Sequence, residues 1–600
     1  MSFLKKSVGK NWLKILFFLP SIPIVWLIMS LDRFTGIDDF LRLLVSVAIV
    51  LLYLFLIFSG SYFSINKRKI GKGFVVLLTI GFLFGTTYGA VMAHRVVNIL
   101  DTITERPVER GYSLVVMANF DAGLLNGYGR VGVLSNIEES MHEARTSFLE
   151  EQGHIQNPIA MDFDMPVEMI NALYSGEIDA MIISSNFVNM FIEIDGFESI
   201  EYDTMVLATF DVLIEQVDQV EIDPGEPFSI LFLGLNQNND DLASGQINTF
   251  MLLTINLQEA SFTAVSIPRD SYVQLPCSNY RHDKLSHSNF GGTACAVGAV
   301  ERIFDMEIDY YVRLNFTGFM EIIDILGGVE VDVPFAFSEQ NSRRQFGENA
   351  IYVEAGLQRL NSEQALALVR HRNLRGTSTM VGDDFARVSN QQLVFQAMLH
   401  EMFNGVNGIN DILPLLEVIG VHVETNLSAH NITTIGMYMI ELLQGQSSSD
   451  FRSTMNFANM VLLGEGADVL YPFEMNVVNL YQNMIDDARR IMMINLGLEE
   501  PEFSFTFSFN AFLREGHAWS TPDFWQGFHY GGNLNQGTTV PDIPWEYPPA
   551  YEPLPPLDSD PGPYIPAPTA PPFIPTNPPP ISDEPPADPV GGDGDNGEQD

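Results

Sequence analysis

Three long apolar stretches open the chain, Trp12–Ser30, Leu43–Phe58 and Phe74–Ala93. Each extends to about 17–20 residues, enough for a helix to cross a hydrocarbon core of ~30 Å. A helix satisfies its own backbone hydrogen bonds there. Pro20 and Pro23 predict a kink in the first. From about residue 111 the pattern shortens. Ser113–Met117 and Arg130–Leu134 are apolar runs of strand length, and Glu138–Glu151 is polar and helix-competent. From Val167 the sequence VEMINALYSGEIDAMIIS reads as helix, glycine turn and buried strand. Further on, Phe228–Gly234, Phe250–Asn256 and Ser261–Ile267 are almost continuously apolar, as strands buried on both faces are.

Two helices follow from later patterns. Asn361 suits an N-cap, with Gln364 three residues on, before the run ALALVRHR. Asp384, Arg387 and Gln391 share one face of the next helix. Val388, Phe395, Met398, Leu399 and Met402 supply its buried side. Residues 430–530 read as helix followed by irregular structure. Residues 541–600 hold 20 prolines, 12 acids and no Lys or Arg. Such a composition predicts an extended, disordered tail. The fold class is α/β. Residues 1–100 form a three-helix membrane anchor, 101–225 a small extracellular α/β domain, 226–530 an α/β/α domain with its core at 226–405, and 531–600 the tail.

Charge sets the orientation. The chain carries 31 Lys+Arg against 75 Asp+Glu, a net charge of -44. Lys5, Lys6, Lys10 and Lys14 flank the first span, and Lys67, Arg68, Lys69 and Lys72 lie between the second and third. The positive-inside rule then puts the N-terminus in the cytoplasm and everything after about residue 95 outside. The base-poor exterior excludes a nucleic-acid partner, because no basic face is available for phosphate backbones. In that exterior Cys277 and Cys295 permit one disulfide; the alternative is two buried thiols.

The exterior arginines are few, and four fall at the ends of elements: Arg269, Arg370, Arg372 and Arg387. Arg269 follows a buried strand, where α/β sheets present ligand-binding groups. It either forks onto a phosphate or pairs with Asp270 in the loop. Several guanidinium groups together would hold a pyrophosphate.

The ordered segments FSILFLG, NTFMLLTIN, VSIPRDSYV, DKLSHSN, IDYYVRLNFTGFMEIIDILGGVEVDVP, LNSEQALALVRHR and DDFARVSNQQ resemble the LytR-CpsA-Psr family of cell-envelope proteins over roughly residues 226–405. The segment from Val167 also resembles, over about 70 residues, a lobe of periplasmic solute-binding proteins, or a generic βαβ unit. The LytR-CpsA-Psr resemblance implies an extracytoplasmic α/β/α domain that transfers a polyprenyl-pyrophosphate-linked glycopolymer, of teichoic acid or capsule type, to a peptidoglycan hydroxyl, with Mg²⁺. It implies pyrophosphate contacts from Arg269, Arg370, Arg372, Arg387 and Gln391. Arg269, Asp270, Asp384 and Arg387 are the expected catalytic residues, with Asp270 or Asp384 helping to deprotonate the acceptor. Lys284 also matches a family position. Leu231, Phe250, Leu252, Val265 and Phe319 are expected to line a polyprenyl tunnel, or else to be ordinary core.

One departure stands out. Asn236 and Asn248 occupy positions where the family usually has aspartates that ligate Mg²⁺. An amide oxygen brings no charge, and Mg²⁺ prefers one or two carboxylates. Asp240, Asp241, Asp383 or Asp384 would have to compensate, or the arginines carry the electrostatics. A module that only binds lipid-linked polymer, and a polyprenyl-pyrophosphate hydrolase, stay open as alternatives.

Overall fold

The computed structural model describes residues 16–33, 39–66, 69–105, 108–119, 129–135, 159–191, 194, 196–214, 226–236, 246–259, 261–345, 347–372, 380–405, 409–444, 456–469 and 475–499. The expected helix at Glu138–Glu151, the loop aspartates Asp240 and Asp241, and the proline-rich tail lie outside these residues, as does the side chain of Asp383.

The described part of the N-terminal segment is mostly helical: α1 (Ser21–Asp32), α2 (Asp39–Ile65) and α3 (Lys69–Glu105). Within them Asp39–Phe63 and Gly73–Ile103 are long and apolar enough to cross a membrane; the apolar stretch Leu16–Asp32 is shorter. The chain turns at Leu19–Pro20, and α1 starts beyond it with Pro20 as N-cap. A proline has no N–H to continue a helix through its own position.

Next comes a five-stranded sheet of β1 (Val108–Met117), β2 (Arg130–Leu134), β3 (Ile159–Phe163), β4 (Ala180–Ser184) and β5 (Thr204–Ile214), in the order β3-β2-β4-β1-β5. Helix α4 (Pro166–Ser175) ends at Gly176, whose φ of 74° is the left-handed conformation that a helix C-cap glycine adopts freely. The sheet's core is Val115, Val167, Ile170, Met181 and Phe187. Arg281 bridges from the next unit to Glu168 at 3.0 Å.

The larger sheet contains β6 (Phe228–Leu235), β7 (Ile247–Asn256), β8 (Ser261–Ile267), β9 (Tyr310–Asn315), β10 (Val423–Thr425) and β11 (Asn456–Val461), in the order β10-β9-β6-β7-β8-β11. The β6–β9 and β8–β11 pairs are parallel and the rest antiparallel. Its helices are α5 (Gly292–Phe304), α6 (Phe316–Ile325), α7 (Ser362–Arg370), α8 (Met380–Gly405), α9 (Ile409–His422), α10 (Ala429–Gln444) and α11 (Gln482–Asn495).

Register shows which face each helix covers. Ser266, paired with Met251, accepts from Gln392 Nε2 of α8 at 2.9 Å. Thr254 points the other way, and its Oγ1 accepts from Asn495 Nδ2 of α11 at 3.0 Å. The sheet is therefore a middle layer with α8 on one side and α11 on the other. Residues 456–495 correct the expectation of irregular structure: they form β11, a hairpin of Gly464–Val469 with Met475–Leu480, and α11. Asn456–Val461 completes the sheet edge beside β8, so the domain's architecture extends well past residue 405.

Cys277 and Cys295 are bonded, with Cα atoms 5.5 Å apart. Asn361 Oδ1 accepts from Gln364 N at 2.9 Å while Gln364 Oε1 accepts from Asn361 N at 3.1 Å. This reciprocal cap starts α7 where the sequence placed it.

Candidate functional site

Two cavities meet on one face of the larger sheet. The first, about 360 Å³, is polar: Asn236, Asn248, Glu339, Gln340, Arg344, Arg370, Arg372 and Arg387 line it, with Thr249, Phe316, Val369 and Gln391. The second, about 300 Å³, is almost wholly apolar and includes Phe232, Met251, Val312, Phe319, Phe395 and Ile419. Thr249, Phe316, Val369 and Gln391 belong to both, so a cationic chamber and a greasy one adjoin at these four residues, the neck of the site.

Helix ends and strand ends deliver the charges. Arg370 closes α7, and His371 continues in extended conformation, which carries Arg372 into the same chamber. Arg370 donates to Asn341 O at 3.2 Å and to Gln340 Oε1 at 3.3 Å, and its guanidinium lies 5.6 Å from the Phe316 ring centroid. Arg372 is exposed. Arg387, on α8, is buried and pairs with Asp384 one turn earlier. Burial, and the nearby positive charges of Arg269 and Arg372, pull its guanidinium down to about 10 despite the opposing pull of Asp384 and Asp270. Arg387 Nε is buried without a hydrogen-bond partner among the described residues. Clustered cations that disfavour one another form a site ready for an anion.

Arg269 stands just behind this chamber. It is buried, and its Nη1 donates to Asn248 Oδ1 at 2.6 Å. Asp270 lies 3.8 Å from Arg269 Nε and 3.4 Å from Lys284 Nζ. Lys284 thus serves Asp270, while the adjacent Asp283 accepts from His287 Nδ1 at 2.8 Å. Burial works against the Asp270 charge, but Arg269, Lys284, Arg387 and Arg372 together hold its carboxyl down to about 2. A carboxylate so acidic is a weak base. Asp270 lines neither cavity, and its geometry is that of a counter-ion that positions Arg269 and Lys284. Asp384 pairs with Arg387 through Oδ1, and its Oδ2 is buried without a hydrogen-bond partner among the described residues. The contacts of Asp270 count against it as the group that deprotonates an acceptor.

The sequence reading missed two residues here. Arg344 lies in an irregular segment at φ 58° and donates from Nη2 to Asn236 Oδ1 at 3.1 Å. Its one sequence signal was the Arg343–Arg344 pair in a stretch of chain poor in bases. Glu339 accepts from His371 Nδ1 at 3.1 Å and from Gln340 N at 3.0 Å. Burial opposes its ionisation, but these bonds hold it below the usual carboxylate range. Six cationic side chains (Arg269, Lys284, Arg344, Arg370, Arg372 and Arg387) therefore face three carboxylates (Asp270, Glu339 and Asp384), and the surplus is positive.

The described residues do not fit a divalent cation. Both amides proposed for it, Asn236 and Asn248, spend Oδ1 on arginine donors. No group of three or more His, Cys, Asp or Glu side chains able to hold a metal occurs among the described residues. Added positive charge would meet a chamber already rich in it.

The expected tunnel residues need correction. Phe319 lines the apolar cavity. Leu231, Phe250, Leu252 and Val265 do not: they are at most 1% exposed and belong to the packed core. Leu231 pairs with Leu252, and Leu252 with Val265, so these three share one face of the sheet. Phe232 pairs with Met251 and with Val312, and this trio shares the cavity face. Side chains alternate along a strand, so the reading was one residue out of phase. Gly234 allows β6 and β7 to approach at the neck: a Cβ there would lie 2.8 Å from Thr249 Cβ.

The class of protein is thus a layered α/β domain that carries a cationic chamber beside an apolar one on the same face of its sheet. The sequence profile of the LytR_cpsA_psr family matches residues 167–461. The chain is 31% identical over 251 residues to the polyisoprenyl-teichoic acid–peptidoglycan teichoic acid transferase TagU of Halalkalibacterium halodurans, covering 42% of this chain and 73% of that protein. It is 33% identical over 220 residues to the TagU of Bacillus subtilis, covering 36% of this chain and 65% of that one, just under two thirds of its length. The crystal structure of B. subtilis TagV aligns with a TM-score of 0.38 at 25% identity, over 46% of this chain and 99% of TagV. The chain belongs to the LytR-CpsA-Psr family.

Proposed function

We propose that this protein transfers a polyprenyl-pyrophosphate-linked glycopolymer of the teichoic acid or capsule type to a peptidoglycan hydroxyl, forming a phosphodiester. The observation that carries the reading is the neck at Thr249, Phe316, Val369 and Gln391, which joins a cationic chamber to an apolar one. A diphosphate fits the first and a polyprenyl chain the second. The names of the TagU relatives agree with this chemistry. Three N-terminal helices anchor the protein in the membrane, with the N-terminus in the cytoplasm and residues after about 95 outside, where the charge of the loops directs them.

The acceptor oxygen attacks the phosphorus attached to the polymer. The bridging P–O bond breaks, and polyprenyl monophosphate departs carrying the negative charge and taking the acceptor's proton. Arg370, Arg372 and Arg387 stabilise the charge spread over the diphosphate, and Arg269 supports them from behind. This is phosphoryl transfer by positioning and electrostatics. A reading in which the domain binds the lipid-linked polymer without turnover draws support from Asn236 and Asn248, which bring no negative charge. Purified full-length protein incubated with lipid-linked polymer and peptidoglycan fragments decides between them. Conjugate formation supports transfer, binding without conjugate supports the second reading, and release of lipid monophosphate without acceptor indicates hydrolysis.

A further inference from the structure

The wall of the apolar cavity includes Ile103, and Ile103 comes from α3, the long apolar helix of the N-terminal segment. The apolar stretch Gly73–Ile103 has 31 residues. At 1.5 Å per residue it is ~46 Å long, against a hydrocarbon core of ~30 Å. Its last turns therefore project beyond the bilayer. Polar residues appear there, at His94, Arg95, Asn98 and Asp101.

The projecting part has a buried face. Met92, Val96, Ile99, Leu100 and Ile103 recur at helical spacing, and Val96, Leu100 and Ile103 are at most 8% exposed. Val96 and Leu100 pack with Leu413 of α9 and with Ala429 and Ile432 of α10. Gly420 of α9 lies against the same helix: a Cβ there would be in ordinary contact, 3.4 Å from Ile99 Cγ2 and 3.7 Å from Ile103 Cγ1. Three residues of α9 and α10, Leu415, Ile419 and Ile432, line the same cavity as Ile103. Ile103 belongs to the apolar chamber and not to the neck or the cationic chamber.

We propose that α3 is a lipid guide as well as an anchor, and that Ile103 is a specificity-determining residue that forms the membrane-side wall of the polyprenyl cavity. The inference rests on the lipid-diphosphate reading above. The face from Met92 to Leu100 stays packed on α9 and α10; the chain of the lipid enters the cavity beside the end of α3, at Ile103, and the diphosphate stays at the arginines. The unbroken helix holds the cavity at a fixed height above the bilayer.

Full-length protein in lipid nanodiscs tests this with three probes: inorganic pyrophosphate, farnesyl diphosphate and a long-chain polyprenyl diphosphate. Ile103→Trp, which fills the wall, is expected to weaken the long-chain probe at least about tenfold while pyrophosphate stays within about twofold. Ile103→Leu should match the wild type for all three. Unchanged long-chain affinity in Ile103→Trp overturns the proposal. So does an equal loss for pyrophosphate and the long chain, because Ile103 is then only a structural support. A wild-type protein that binds pyrophosphate but gains nothing from any prenyl chain overturns the lipid-diphosphate reading itself.

Discussion

Leu231 and Phe232 are neighbours on β6 that face opposite ways, so the same truncation should do different things to them. Leu231 is fully buried in the main core. Leu231→Ala should cost ~2–5 kcal/mol through lost transfer energy and the void left behind. At roughly 2–4 °C per kcal/mol for a domain of this size, Tm falls by roughly 4–20 °C. Lipid affinity per folded molecule should not change. Phe232 is half-buried, lines the cavity and sits against Phe395, with ring centroids 5.7 Å apart. Phe232→Ala opens a space that is already open, so its stability cost is smaller. If a bound chain covers about 60 Å² of that ring, 25 cal/mol per Å² gives ~1.5 kcal/mol, about tenfold in affinity. Thermal unfolding and polyprenyl-diphosphate binding, measured on both variants of the full-length protein, read the two effects separately. If Leu231→Ala weakened the lipid and Phe232→Ala left it unchanged, the assignment of the cavity to the Phe232 face would be wrong.

The remaining predictions concern charge, metal and the disulfide. Arg372 is exposed and makes no hydrogen bond or ion pair among the described residues, so Arg372→Ala should leave stability within about 0.5 kcal/mol. It should weaken diphosphate binding about tenfold, the loss of one charge-assisted contact of ~1.5 kcal/mol; an affinity equal to wild type by calorimetry would remove Arg372 from the site. Asp270 has its folded-state carboxyl depressed to about 2, so its stabilisation is present above the unfolded value of ~3.9 and fades as pH falls toward 2. Wild type should exceed Asp270→Asn by about 2 kcal/mol at pH 6, with the gap closing near pH 2; a gap independent of pH refutes the linkage. Chelation with EDTA should leave diphosphate affinity within about twofold, because Asn236 and Asn248 already hold arginines; loss of binding restored by Mg²⁺ contradicts this. Reduction of Cys277–Cys295, which closes a loop of 18 positions, should cost ~3 kcal/mol in denaturant unfolding.

Much of this site could be read from the sequence because its charges are scarce. In a stretch of chain poor in bases, Arg370, Arg372 and Arg387 at element ends had few roles open to them, and all three line one chamber. Arg269 was legible as a charge at the mouth of a strand, though it acts from behind Asn248. The capping residues Asn361 and Gln364 were legible because the cap is a local interaction. The face of the strands was not. FSILFLG is apolar at nearly every position, so alternation carried no signal, and only pairing with Met251 and Val312 shows that Phe232 faces the cavity. Arg344 escaped because an irregular segment has no periodicity to place it, and its contact with Asn236 spans 108 positions of chain. The role of Ile103 needed the fold as well: nothing local links a membrane helix to a cavity built by α9 and α10.

A structure of the full-length protein bound to a polyprenyl diphosphate would test the central claim most directly. The account predicts diphosphate density among Arg370, Arg372 and Arg387, with the chain passing Gln391 and Val369 and lying between Phe232 and Phe395. Diphosphate bound elsewhere, or a prenyl chain running over the outer surface while that cavity holds only solvent, would contradict it.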